Sequence, residues 1–328
     1  MSTAASPVRQ LHPEAERELM NTARELLHTF GGDSCSPGLL GRIPHAASAL
    51  SADIREACRP VDTPDGLFVI RGIAVDDEEA GPTPRHWSDA GDAGAVLDAA
   101  LLLLSALMGT PLAWEGQQDG RFVHNIVPSP GHEAEQTGAS SSVLLSPHTE
   151  DAFHPGRAHL LVLGCVRNHD AVATTAASVG RTRLAEDDLE LLARPVLPIL
   201  PDDAYAQARS YPGEPPAVPT VWRSPHGPTL RFDPAYTPVD RAPEDHRAAY
   251  GRLQDELARV SVAVTLAPGD VLVVDNDLVV HGRVPFRARY DGTDRWLKRA
   301  SVRVPERSTR PDTERLEHGY GQAAVEAW

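Results

Sequence analysis

Cysteine is scarce in this chain: three among 328 residues, at Cys35, Cys58 and Cys165. They are widely spaced, odd in number and form no CxxC pair, so a disulfide framework is not expected and a reducing cytoplasm is. Long apolar runs are missing too. The first twenty residues hold no apolar core of signal-peptide length. The longest apolar stretch, Ala95 to Gly109, carries Asp98 and is too short to span a bilayer, so it reads as a buried helix. Basic charge is in deficit, with 31 Lys+Arg against 46 Asp+Glu and a net charge of −15. A phosphate backbone or an anionic membrane calls for a basic surface, so neither nucleic acid nor membrane is expected as a partner. Repeats and low-complexity linkers are also absent. One domain over 1–328 is therefore expected: a helical part over about 1–60, a β core over about 111–305, and a charged tail, 306–328, that reads as partly disordered.

What is present divides by period. Residues 13–30 place Leu19, Ala23, Leu26 and Leu27 on one helical face, and Gly31-Gly32 ends the run. Further helices are expected over 46–58, 94–108, 184–194 and 243–260. GLFVIRG (66–72), RFVHNIVP (121–128), AHLLVLGCV (158–166), AVATTAAS (171–178) and WLKRASVRV (296–304) read as strands. PTVWR (219–223) and TLRFD (229–233) read as a strand pair. SVAVTLAPGDVLVVDNDLVVHG (261–282) reads as two strands around a Pro-Gly-Asp turn. Short strands with Pro/Gly turns point to a mainly β chain with flanking helices, an α+β sandwich or barrel. GHEAEQTGASSS (131–142) and 200–218 read as mobile loops, candidate lids.

The strongest local signal is SPHTEDAFHP (146–155). His148 and Glu150 are two apart, and in an extended segment i and i+2 share a face. An imidazole beside a carboxylate suits a divalent metal, and a 2-His-1-carboxylate set needs one further histidine. VVDNDLVVHGRVPF (273–286) supplies His281, after an apolar run and before Gly282. His154, His159 and His169 read as structural.

Together these segments resemble the clavaminate synthase-like branch of the iron- and 2-oxoglutarate-dependent oxygenases, and within it the hydroxylases of free arginine, asparagine and lysine. VHNIVPSPG (123–131), SPHTEDAFHP, VATTAAS (172–178), TLRFD, PGDVLVVDNDLVVHGRVPF (268–286) and RYDGTDRWLKR (289–299) carry the resemblance, which runs from about 60 to 305. It implies a double-stranded β-helix, or jelly-roll, core. It implies Fe(II) on His148, Glu150 and His281, with 2-oxoglutarate and O2 as cosubstrates. Arg295, fourteen residues beyond His281, matches the position that binds the far carboxylate of 2-oxoglutarate, and a guanidinium suits that anion. A strand hydroxyl assists; Thr174 and Thr175 are both candidates, and alternation turns only one inward.

By the same resemblance Arg299, four beyond Arg295 and on the same strand face, takes the α-carboxylate of an amino-acid substrate. His124 lies toward its amino group, standing where relatives commonly carry Gln, and Glu150 is also expected to contact the substrate. Residues 223–233 are expected to line the side-chain pocket, where SPHGPTLRFD offers His226 and Thr229 but no carboxylate before Asp233; Asp202, Asp203 and Asp233 are candidates to pair with a cationic side chain, with anchoring of its own turn the alternative for Asp233. Related halogenases lack the carboxylate ligand, so Glu150 implies hydroxylation, in specialised metabolism such as antibiotic biosynthesis. The alternatives are a desaturase or cyclase using the same iron, or a non-oxidative cupin-like metal-binding protein.

Overall fold

The computed structural model describes residues 7–60, 63–205, 211–225, 227–307 and 310–328. In chain order its strands and helices are β1 (Val8–Gln10), α1 (Pro13–Thr29), α2 (Pro37–Ala49), α3 (Ala52–Ala57), β2 (Leu67–Arg71), α4 (Asp77–Ala80), α5 (Ala95–Met108), β3 (Thr110–Trp114), β4 (Val123–Ile126), β5 (Leu145–His148), β6 (Leu160–Arg167), β7 (Thr174–Ser178), α6 (Glu186–Leu192), β8 (Val221–Ser224), β9 (Gly227–Leu230), α7 (Glu244–Val260), β10 (Val262–Val264), β11 (Val271–Asp275), β12 (Val279–Arg283), β13 (Trp296–Arg303) and β14 (Ala324–Glu326). The larger sheet runs β1-β2-β11-β6-β13-β3-β14, with β4 also paired to β13; the smaller runs β10-β7-β12-β5. Facing sheets with helices outside them are the expected jelly-roll core.

Period-2 alternation builds the layers. Phe68, Ile70, Val162, Val166, Val271, Val273, Trp296 and Ala300 point from the larger sheet onto α1, α2 and α5. Their neighbours Leu67, Val69, Leu161, Leu163, Cys165, Leu272, Val274 and Leu297 point the other way and meet Ala176 and Val279 of the smaller sheet. The outer face of the smaller sheet, with Ala177 and Val280, is covered by α6, α7 and the β8–β9 hairpin. α5 is apolar almost all round because it sits between α1, α2 and the sheet. Leu104→Ala, at a fully buried position on α5, is expected to cost about 2–5 kcal/mol of stability, read by urea denaturation.

Three expectations about elements change. The helix expected over 46–58 is two helices. Ser36 accepts from the Leu39 amide and Pro37 opens α2, while Leu50 is extended and breaks the run before α3. The stretch 261–282 is three strands, because Asp275, Asn276 and Asp277 turn the chain between β11 and β12. β10 moreover lies in the other sheet from β11.

The tail is the third correction. Its described residues are packed: β14 pairs with β3, Tyr320 is buried, and its hydroxyl donates to the Ile199 carbonyl at 3.0 Å. The signal was missed because the tail is held by charge and by single contacts rather than by an apolar period. His154 and His159 are structural, as expected. His154 accepts from the Gly156 amide and donates to the Gln322 carbonyl; His159 accepts from the Val304 amide. Burial pushes them down to about 4 and about 3. The unfolded chain therefore takes up these protons first. The stability they contribute is complete above about pH 6.5 and is lost as pH falls through the folded values. Urea midpoints are expected to be lower at pH 5 than at pH 7.5, with a smaller difference in His159→Asn.

Candidate active site

β5 and β12 lie side by side with His148 directly opposite His281. Gly282 makes this pairing possible, because a Cβ there would collide with the Leu145 carbonyl. The chain leaves β5 after His148 and places Glu150 between the two rings. Glu150 Oε2 lies 3.3 Å from His281 Nε2 and 3.7 Å from His148 Nε2, and the ligating atoms of the three residues lie within 4.8 Å of one another. That oxygen is buried and has no hydrogen-bond partner among the described residues. His148 Nδ1 lies 2.8 Å from the Ser146 carbonyl, so it carries the proton and Nε2 presents a lone pair. Two imidazole nitrogens and an orphaned carboxylate oxygen converging on one point fit a divalent metal with open positions.

The backbone of Glu150 is fixed from the turn after β11. Asn276 Oδ1 accepts from the Glu150 amide at 2.8 Å, and Asn276 Nδ2 donates to the Glu150 and Ala158 carbonyls at 3.1 and 3.0 Å. The next residue, Asp151, has a left-handed backbone with φ 51°, a region Asp enters more readily than most residues. Its carboxylate accepts from Trp114 Nε1 at 2.7 Å and the Tyr205 hydroxyl at 2.6 Å. Glu150 Oε1 is held by Arg299 Nη1. Burial alone would raise the Glu150 carboxyl, but Arg299 and the two imidazoles outweigh it and hold it well below the usual carboxylate range.

A cavity of about 310 Å3 opens at this end of the sandwich, between the sheets, a size suited to small molecules. Arg295 lines it from the larger sheet, and Thr174 faces it from β7, with Arg295 Nη2 donating to Thr174 Oγ1 at 2.9 Å. No carboxylate pairs with Arg295 among the described residues. Asp294 instead caps the Arg289 and Tyr290 amides. Burial pushes Arg295 down to about 10. A buried guanidinium without a counter-ion is costly unless an anion arrives.

Not every expected residue lands in the cavity. Thr175 points away from it, since alternation gives the inward place to Thr174, and its hydroxyl is buried without a partner among the described residues. His124 is a second correction. It pairs with Arg299 across β4 and β13 but lies behind it, with Nδ1 3.0 Å from Arg299 Nη2. Burial and Arg299 push His124 down to about 3, so it serves as a neutral acceptor. Gln117, not singled out from the sequence, lines the cavity wall, where Oε1 accepts from Arg299 at 3.2 Å.

Asp233 is the third correction: its carboxylate anchors its own turn by accepting from the Ala235 amide and does not line the cavity. The cavity wall includes no described residue of 223–233, and His226 lies outside the described residues. Asp202 of the second candidate lid lines the wall instead. Burial, then Asp151, Glu150 and Asp233, push its carboxyl up to about 7; the part of that lid at 206–210 lies outside the described residues. The other candidate lid is tied down by Arg283, which donates to Ser140 Oγ at 2.9 Å and the Ser141 carbonyl at 3.1 Å.

Comparison with known proteins places this geometry. The sequence pattern of the taurine catabolism dioxygenase TauD, TfdA family matches residues 48–301. An enduracididine beta-hydroxylase of Streptomyces hygroscopicus is 36% identical over 263 residues, 72% of this chain and 76% of that protein. The crystal structure of the non-heme iron oxygenase OrfP in complex with Fe, succinate and (3S)-hydroxy-L-Arg superposes with a TM-score of 0.81 at 36% identity, covering 90% of this chain and 94% of that one. An asparagine oxygenase with Fe(II), 2S,3S-3-hydroxyasparagine and succinate superposes with a TM-score of 0.82 at 31% identity, covering 90% and 93%.

Proposed function

Since the chain belongs to the taurine catabolism dioxygenase TauD, TfdA family, we propose that it hydroxylates a free L-amino acid, with His148, Glu150 and His281 holding Fe(II) and Arg295 holding 2-oxoglutarate. The enzyme is a non-haem iron(II)- and 2-oxoglutarate-dependent dioxygenase. Bound iron with 2-oxoglutarate and O2 supplies an oxidant able to break an unactivated C–H bond, and succinate and carbon dioxide leave. One observation carries the assignment of residues: Arg295, buried and without a carboxylate partner among the described residues, faces the same cavity as the His148–Glu150–His281 cluster. A metal-binding sandwich without a keto-acid cosubstrate has no use for that cation.

The protein's own part is to place its ligands and exclude water. The Arg295 guanidinium and the Thr174 hydroxyl hold the far carboxylate, which aims the keto acid at the metal. Arg299 neutralises Glu150 Oε1 and keeps Oε2 for the iron; with Gln117 beside it, it offers the α-carboxylate of the substrate a cation at the cavity wall. Asp202 lines the cavity wall beside them. Among the described residues no helix is long and apolar enough to cross a membrane. Cys35, Cys58 and Cys165 are all free, consistent with a reducing, cytoplasmic setting.

Anaerobic protein with Fe(II) and 2-oxoglutarate is expected to show a weak charge-transfer band near ~500 nm, lost in His281→Ala. A panel of protein and non-protein amino acids is then screened for coupled succinate release. If only a peptide or a carrier-tethered substrate couples turnover, the free-amino-acid reading is wrong. Thr174→Val removes one hydrogen bond worth about 1 kcal/mol and is expected to raise the KM for 2-oxoglutarate about fivefold. Thr175→Val is expected to leave that KM unchanged.

A further inference from the structure

Behind the metal cluster lies a group of buried charges that the chemistry does not touch. The turn between β11 and β12 reads Asp275, Asn276, Asp277. Its asparagine clamps Glu150 from both sides of the peptide, as described above, and its last acid stands four residues before His281. Two of the three iron ligands are thus referenced to one turn. Both aspartates are buried, and Asp277 is fully so. Two like charges on so short a turn repel, and each needs a cation to remain ionised there.

The cations come largely from the tail. Arg307 Nη2 binds Asp275 Oδ2 at 2.6 Å. Arg310 Nε binds Asp277 Oδ1 at 2.9 Å, and its other nitrogens donate to the Arg157 and Ala158 carbonyls, both at 2.8 Å. Arg157 Nη2 lies 3.8 Å from the same Asp277 oxygen and is itself gripped by Glu314 through two bonds of 2.9 and 3.1 Å. Glu314 also lies 3.6 Å from Arg231. Arg231 in turn donates to Glu317 at 3.0 Å and to the Ala152 carbonyl. The loop from Glu150 to Ala158 is therefore flanked by the Asp-Asn-Asp turn and by Arg307 and 310–317, with fixed guanidinium forks between them. These tail residues lie beyond 48–301, the span matched by the family pattern.

We propose that Arg307, Arg310 and Glu314 are positioning residues for the iron site: they fix the Asp275–Asn276–Asp277 turn and the loop behind Glu150, and so set where the carboxylate ligand stands. This rests on the reading of His148, Glu150 and His281 as the iron ligands. A ligand carboxylate held from behind keeps one orientation. Once the support is cut, it samples several, and both metal affinity and reaction coupling suffer.

The test uses the full chain with Glu314→Gln and Arg310→Gln, and with Leu104→Ala as a variant destabilised in the helical core only. Iron(II) affinity, the energy of the charge-transfer band, and moles of hydroxylated product per mole of succinate are measured well below each melting temperature. Both tail variants are expected to bind iron about tenfold more weakly, to shift or broaden the band, and to release succinate without matching product. Leu104→Ala is expected to keep wild-type values at a comparable loss of melting temperature. Unchanged affinity, band and coupling in the tail variants would overturn the proposal, as would equal losses in Leu104→Ala. If Glu314→Gln does not fold, Arg307→Gln, at the more accessible Asp275 pair, gives the same readouts. A wild-type protein without the band would instead defeat the reading of the iron ligands.

Discussion

Arg295→Gln is expected to raise the 2-oxoglutarate concentration needed for half-maximal turnover by about a hundredfold, while leaving the ligand-free protein as stable as the wild type or more so. The first half follows from bond strength. A guanidinium fork on a carboxylate makes two charge-assisted hydrogen bonds at about 1.5–3 kcal/mol each, and every 1.4 kcal/mol is tenfold in affinity. The second half follows from the absence of a partner. Thr174 is the side chain that shares a hydrogen bond with Arg295, and burial already lowers its pKa. Removing an uncompensated buried charge relieves a desolvation cost, so glutamine is not expected to unfold the chain. Isothermal titration with 2-oxoglutarate and a thermal melt without it separate the two effects. A lowered melting temperature with unchanged 2-oxoglutarate binding would make Arg295 a structural residue.

Glu150→Ala is expected to have the opposite balance, with both activity and stability falling. Loss of one of three ligands is expected to reduce turnover at least about a thousandfold, since even the residues that orient metal ligands are worth about 10–100-fold. The same substitution strands Arg299, whose side chain is 13% exposed and spends one nitrogen on Glu150 Oε1. Breaking a buried ion pair from one side costs about 3–5 kcal/mol, so a lower urea midpoint should accompany the lost activity. Glu150→Gln separates the two roles: it keeps the shape and an oxygen acceptor, and is expected to regain part of the stability but little of the turnover.

The iron cluster was legible because its signal is local twice over. His148 and Glu150 share a face by spacing alone, and His281 sits where an apolar strand gives way to glycine. Arg295, just before β13, and Arg299 within it were legible through the family resemblance, and their spacing of four adds only that they share a face. Thr174 and Thr175 were not separable, because alternation says that one faces inward but not which; the pairing of Gly282 with Thr175 and of Arg283 with Thr174 decides it. His124 was placed on the right face of the right strand, yet behind Arg299 rather than beside the substrate, and depth is not encoded in period. Gln117 lies on an irregular segment with no period to read, whereas Asp202 was legible only as one of three candidate acids for a cationic side chain. The tail was misjudged most, since Arg307, Arg310, Glu314 and Glu317 look singly like solvated charges and acquire meaning only from Asp275, Asp277, Arg157 and Arg231, more than a hundred residues away in places.

The two sheets are fastened differently along their length. Deep in the sandwich they meet through Leu161, Leu163, Leu272, Val274, Val279 and Leu297; at the mouth they meet through Arg299 on Glu150 and Arg295 on Thr174. β5, which carries His148, is a half-buried edge strand of four residues. The mouth can therefore gape without the interior melting, and the amides of β5 belong to a less protected class in hydrogen exchange than those of β6 and β11. Ligand binding across that mouth then acts as a latch, ordering the one part of the sandwich that oil does not hold shut.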